Sequence, residues 1–226
     1  MDAGVGRVLE TPESAGIDEN TIQLFTSDNG PALAERPMGS LARYNGLFRG
    51  AKGDSLEGGI RVPALLRWPA GIAAGMRIDE MAHFGDWYPT LRSLAGLSCQ
   101  SDVALDGWDV SRTFRGEATA GPGMRFWQRN RYEPVAFSNA AVRDGAECKL
   151  PDDQDDYLHR IFPIEPTLPS RHIGSVPPPP LYNLSEDPWE QTDRAESSPE
   201  QVQRLTSEWS RWFASVYADW RDARAR

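Results

Sequence analysis

The clearest periodic pattern lies at the end of the chain. Val202, Leu205, Trp209, Trp212, Phe213, Val216, Tyr217 and Trp220 recur at the spacing of one helix face. Ser198 stands at the cap, Pro199 at the first helical position, and Gln201 completes a capping box. The polar face carries both charge signs, which suits a helix packed on a sheet better than one lying on a membrane. Near the start, Val5, Val8 and Leu9 share helical spacing, and Gly16 is a plausible stop. A helix is predicted over Val5 to Ala15, with Pro12 badly placed inside it. A third helix is predicted from Asp86 as cap, with Pro89 in its first turn. Trp87, Leu91, Leu94 and Ala95 lie on one face and Gly96 ends it.

Shorter apolar runs predict strands. Thr21 to Thr26 is β-branched and apolar and stops at Ser27-Asp28-Asn29-Gly30-Pro31, which is loop chemistry. Val62 to Trp68 is bracketed by Pro63 and Pro69, as a short strand tolerates. Between them, residues 31–59 are rich in Gly, Arg and polar groups and read as a long loop, a feature usually kept for function. After about residue 118 the texture changes. Val135 to Ser138 and Ala140 to Arg143 are candidate strands, the latter turning at Asp144-Gly145. Asp152 to Asp156 is an acidic, solvated stretch, and Pro177 to Pro180 a polyproline spacer. Two regions are therefore expected, residues 1–118 and residues 119–226. The second would hold short antiparallel strands and the Trp-rich terminal helix.

Composition narrows the class. The chain has 226 residues, 39% apolar and 25% charged, with eight tryptophans, the make-up of a folded domain rather than a disordered tail. A net charge of −9 argues against nucleic acid as a partner but not against a small anion, which feels local charge. No apolar run reaches the roughly 18 residues of a membrane span. Met1 to Leu9 lacks the basic and apolar regions of a signal peptide, so none is expected in this chain. All but two of the 24 basic residues are arginine, and the exceptions are Lys52 and Lys149. Cys99 and Cys148 show no metal-binding spacing and read as ordinary thiols, with a disulfide between them left open.

The candidate chemistry clusters early. Asp28 and Asn29 place two hard oxygen donors just after a strand, where α/β folds bind ligands. A carboxylate with an amide oxygen suits Ca²⁺ or Mg²⁺, although Asp-Asn-Gly is also an ordinary turn. Lys52 lies close to two glycines, Gly50 and Gly53, that let backbone approach a ligand. Its ammonium is a compact point charge suited to a tetrahedral anion. Glu57 and Arg61 read as an ion pair that fixes the loop.

Taken in order, five blocks carry a family resemblance. They are Thr26-Ser27-Asp28-Asn29-Gly30, Leu47-Phe48-Arg49-Gly50-Ala51-Lys52, Glu57-Gly58-Gly59-Ile60-Arg61-Val62-Pro63, Arg67-Trp68-Pro69-Ala70-Gly71 and Asp86-Trp87-Tyr88-Pro89-Thr90-Leu91. The chain resembles the sulfatases of arylsulfatase type within the alkaline-phosphatase superfamily. The match is strong over residues 17–97 and looser to the end, through Leu105-Asp106-Gly107-Trp108-Asp109, Ala141 to Gly145 and Leu181-Tyr182-Asn183-Leu184. The resemblance implies an α/β fold: the C-terminal part of a mixed sheet with flanking helices, then a small α+β subdomain. It implies that Asp28 and Asn29 are metal ligands, for Ca²⁺ before Mg²⁺, and that Lys52 holds the substrate sulfate. The implied partner is a small-molecule sulfate ester.

The departures are equally informative. The family nucleophile is a formylglycine made from Cys or Ser in a Cys/Ser-x-Pro/Ala-x-Arg motif. Cys99, Cys148 and Ser197 do not sit in one, since Ser197 has Pro199 but Gln201 in place of the arginine. His83, His159 and His172 match no catalytic motif either, and His83 reads as the opening residue of a helix. The formylglycine is expected in an upstream N-terminal half, which becomes a partner of this chain, and the chain alone is expected to be inactive. A phosphodiesterase or phosphonate hydrolase on the same fold, or a non-catalytic remnant, are the alternatives. The compartment stays open.

Overall fold

The computed structural model describes residues 2–32, 45–98, 104–117, 123–129, 136, 139–145, 157–160 and 179–225. These fall into two compact units. One takes its residues from Met1–Ser27 and Pro63–Pro122. The other takes them from Asp28–Val62, Gly123–Gly145 and Leu150–Arg226. Asp28–Val62 thus groups by contacts with the C-terminal residues.

The first unit opens with helix α1, Asp2–Ser14. Pro12 lies inside it, in the last turn, and none of its residues is buried. The proline has no N–H to give the carbonyl four residues earlier, and the helix ends two residues after it. Gly16, at φ 68°, ends the helix as a left-handed cap should. Strands β1 (Gln23–Thr26) and β2 (Ala64–Arg67) pair antiparallel, with Phe25 opposite Leu65. The expected mixed sheet is thus represented here by an antiparallel pair. Asp18 ties this hairpin-like pair to α1's exit: Arg67 Nη2 donates to its carboxylate at 2.7 Å. That bond from Arg67 holds the Asp18 carboxyl below the usual carboxylate range.

Helix α3 spans Trp87–Leu94, and the short helix α4 spans Ser111–Phe114. Asp86 organises the entrance to α3. Fully buried, it accepts from the backbone N–H groups of His83 (2.7 Å) and Trp108 (2.9 Å). His83 opens the 3-10 turn Phe84–Asp86, its Nδ1 accepting from Gly85 N–H at 3.2 Å, which is the structural role expected of it. The aspartate expected to cap α3 instead closes a reciprocal box with His83 one turn earlier.

In the second unit, helix α2 is a single turn, Glu57–Ile60. Four antiparallel strands follow in the order β3 (Arg125–Gln128), β4 (Ala140–Asp144), β5 (Tyr157–Arg160) and β6 (Leu181–Asn183). Asp144 pairs with Tyr157, so Asp144-Gly145 is not the two-residue hairpin turn that dipeptide favours; residues 145–156 separate the strands. Helix α5, Pro199–Ala225, lays its apolar stripe on this sheet. Leu205 and Trp209 are fully buried with Ala140, Val142 and Leu181, and Val202, Trp212 and Phe213 pack around them. Trp209 and Trp212 lie 4.9 Å apart, and the Trp209 indole N–H donates to Ala136 O. A buried indole needs such a partner for its donor. The expected strand Val135 to Ser138, the acidic stretch Asp152 to Asp156, both cysteines and His172 lie outside the described residues, apart from Ala136, which sits in a turn.

Candidate functional site

The site loop is built on close backbone contact. A Cβ on Gly30 would stand 1.8 Å from Gly58 O, and one on Gly58 2.4 Å from Gly50 O. A Cβ on Gly59 would stand 2.1 Å from Asp54 O. None of these three has a left-handed φ, so glycine is required here by space, not by conformation. The glycines of Asp-Asn-Gly and Glu-Gly-Gly therefore face each other, and Gly30 N–H donates to Gly59 O at 2.8 Å.

The same stacking brings the lysine segment alongside. Lys52 N–H donates to Pro31 O at 2.9 Å. Around it, Ala51 N–H donates to the Asp54 carboxylate and Asp54 N–H returns a bond to Ala51 O, both at 2.9 Å. Gly53, at φ 100°, closes this turn, in a conformation that L side chains rarely adopt. The Lys52 and Asp28 side chains are exposed and Asn29 is half-buried, with its Nδ2 donating to Gly30 O at 2.8 Å. Backbone hydrogen bonds thus join the two segments on which the three candidate residues stand.

The C-terminal strands hold this loop from below. Asn139, buried just before β4, donates from Nδ2 to Gly53 O at 2.7 Å. Its Oδ1 accepts from Ser55 N–H at 3.2 Å, and its backbone carbonyl accepts from Ser55 Oγ at 2.9 Å. Glu190, fully buried at φ 57°, accepts from Glu57 N–H at 3.0 Å through its carboxylate. Its carbonyl accepts from Arg49 Nη1 at 3.0 Å, and the same nitrogen donates to the Tyr182 hydroxyl. Burial pushes the Tyr182 phenol up, against the pull of Arg49. The expected ion pair is present: Arg61 Nη1 lies 3.0 Å from buried Glu57, and Arg143 approaches the other carboxylate oxygen at 3.9 Å. Asn139 and Glu190 escape a motif reading because each lies just outside the blocks that carry the resemblance. Asn in front of an apolar strand is a weak hint of a left-handed turn.

Among the described residues no group of three or more His, Cys, Asp or Glu is arranged to hold a metal ion. Asp28 and Asn29 are hard oxygen donors of the kind a hard cation takes, but they fill only part of a shell of about 6–8 oxygens. No helix among the described residues is long and apolar enough to cross a membrane.

The sulfatase family model matches residues 1–97, a stretch that contains Asp28, Asn29, Lys52 and the stacked glycines. This chain belongs to the sulfatase family. It is 34% identical to mouse (Mus musculus) steryl-sulfatase over 84% of its own length and 31% of that protein's. It is likewise 34% identical to human arylsulfatase A, covering 91% of this chain and 40% of the relative. A solved Bacteroides thetaiotaomicron structure, described under the metabolism of multiple glycosaminoglycans, superposes with a TM-score of 0.67 at 25% identity. That likeness covers 96% of this chain and 43% of the other, and it makes the fold of this sulfatase chain sulfatase-like. The chain spans 31% to 40% of the length of these two curated relatives.

Proposed function

We propose that this sulfatase chain supplies the anion-holding part of a sulfate-ester hydrolase, with Lys52 on the sulfuryl oxygens and Asp28 and Asn29 as two ligands of a Ca²⁺ ion. The observation that carries this reading is the bond from Lys52 N–H to Pro31 O, beside the Gly30 to Gly59 bond. It fixes the lysine's backbone next to the Asp28-Asn29 segment, so one small anion and one cation can share the space in front of them. An ammonium there neutralises charge that builds on the sulfuryl oxygens as the ester bond breaks, and a bound cation adds Lewis-acid polarisation. The nucleophile, formylglycine in this family, would come from a segment outside these residues. The substrate class is a small sulfate ester.

Holding an anion does not by itself lower a barrier, because binding the ground state and the transition state equally leaves the chemical step unchanged. Purified alone, the chain should therefore leave an aryl sulfate uncleaved, with or without Ca²⁺, and should bind Ca²⁺ only weakly. Supplying the preceding part of a sulfatase should restore cleavage, and Lys52→Ala should abolish it again. Turnover by the 226-residue chain alone that vanishes in Lys52→Ala would overturn the partial-site reading. An aryl phosphodiester run beside the sulfate ester separates the phosphodiesterase alternative: preference for the diester in the restored enzyme would replace sulfur by phosphorus as the reacting centre.

A further inference from the structure

Asn139 sits in a left-handed conformation, φ 43°, and is 4% exposed. If the chain needed only to turn there, glycine would serve at less cost. What glycine lacks is the amide, and both ends of that amide are spent on the lysine loop. Nδ2 donates to Gly53 O, and Oδ1 accepts from Ser55 N–H and, at 3.1 Å, from Ser55 Oγ. A buried amide so satisfied is a rigid link, since each bond would be lost to no compensating water. The bonds fall on Gly53 and Ser55, one and three residues after Lys52. The lysine is thus pinned on one side through its own N–H to Pro31 O and on the other through Gly53 O to Asn139. Asn139 itself is anchored in the sheet: its carbonyl accepts from Arg129 N–H at 3.0 Å, and Ala140, next in the chain, is fully buried under α5.

We infer that Asn139 is a positioning residue for Lys52, through which the C-terminal sheet sets where the anion-holding ammonium stands. The inference rests on the reading of Lys52 given above. It makes the loop's order a property of a residue more than 80 positions away in sequence, so the strands after residue 123 serve the site as well as the fold.

The test uses the whole chain, isotopically labelled, with inorganic sulfate as the probe. Backbone amide exchange is measured in the parent and in Asn139→Gly, which keeps the left-handed turn and removes the amide. Ser55 N–H should exchange about tenfold faster or more, the loss expected for a few hydrogen bonds. Glu57 N–H, bonded to Glu190 instead, should change less, and the amides of the β3–β4 ladder should not change. Sulfate is then titrated while the Lys52 amide resonance is followed. Affinity should fall several-fold in Asn139→Gly and be lost in Lys52→Ala. Asn139→Asp, which keeps the acceptor but sets a buried carboxylate oxygen against Gly53 O, should weaken binding at least as far as glycine. Should Asn139→Gly fail to fold, Ser55→Ala, which loses only the hydroxyl bonds to Asn139, gives a smaller version of the comparison: Ser55 exchange should still quicken and sulfate affinity still fall, and no change in either would overturn the inference. Unchanged Ser55 exchange, or a loosened loop that binds sulfate as the parent does, would overturn the inference. Sulfate binding that is absent in the parent, or that survives Lys52→Ala, sinks the reading of Lys52 and the positioning role with it. The exchange data then show whether the clamp itself was real.

Discussion

The two units use their apolar residues in opposite ways. In the second, the stripe on α5 finds its partners within the chain, and Leu205 and Trp209 are sealed against β4 and β6. In the first, Val8 on α1 is 68% exposed and Leu65 on β2 is 60% exposed, with Phe25 opposite it also exposed. Both units were written with similar hydrophobic signals, yet among the described residues the first buries only Leu94 and Val110 of its large apolar side chains. The lesson is that periodicity reports which face of an element is apolar, while burial depends on what the rest of the fold brings to that face.

The comparison breaks most easily at the largest side chain. Trp209→Ala should destabilise the second unit by about 3–5 kcal/mol, the usual cost of emptying a buried Trp site. Leu65→Ala should stay within about 0.5 kcal/mol, as surface changes do. Urea unfolding of the two variants checks this, and equal losses would mean that Leu65 is covered in solution.

Two glycines sharpen the contrast at smaller scale. Gly30→Ala forces a methyl into Gly58 O and should cost about 1–3 kcal/mol, the range for overpacking. Gly6→Ala, in α1 with nothing near its Cβ, should instead gain about 0.5–1 kcal/mol from helix propensity. Thermal unfolding should move in opposite directions for the pair, and a shared direction would show that space is not what Gly30 serves.

The smallest effect is electrostatic and confined to the first unit. Asp18 titrates lower in the folded chain than unfolded because Arg67 bonds its carboxylate. The unfolded chain therefore takes up the proton first, near the ordinary aspartate value of about 3.9. Stability from this pair is present at neutral pH and is lost as pH falls below that value through the folded one. Asp18→Asn should flatten this acid-limb slope slightly, and a slope identical in parent and variant would remove the pair from the balance.

Much of this is legible in the sequence. α5 follows from its apolar stripe, and α3, β1, β2 and β4 follow from local runs bounded by Pro, Gly and Asp. The glycines at 30, 58 and 59 and the residues Asp28, Asn29 and Lys52 stand out as motifs, and the motifs place the chain among the sulfatases. These are local properties: period, propensity and turn chemistry act over a few residues. What only the tertiary structure decided is long-range. It paired Gly30 with Gly58 across the loop, set Asp144 of β4 opposite Tyr157 of β5, and put Asn139 and Glu190 under the lysine segment. Hydrogen bonds between positions more than 80 residues apart leave no period in the sequence, because each partner is chosen by where the folded backbone passes rather than by its neighbours in the chain.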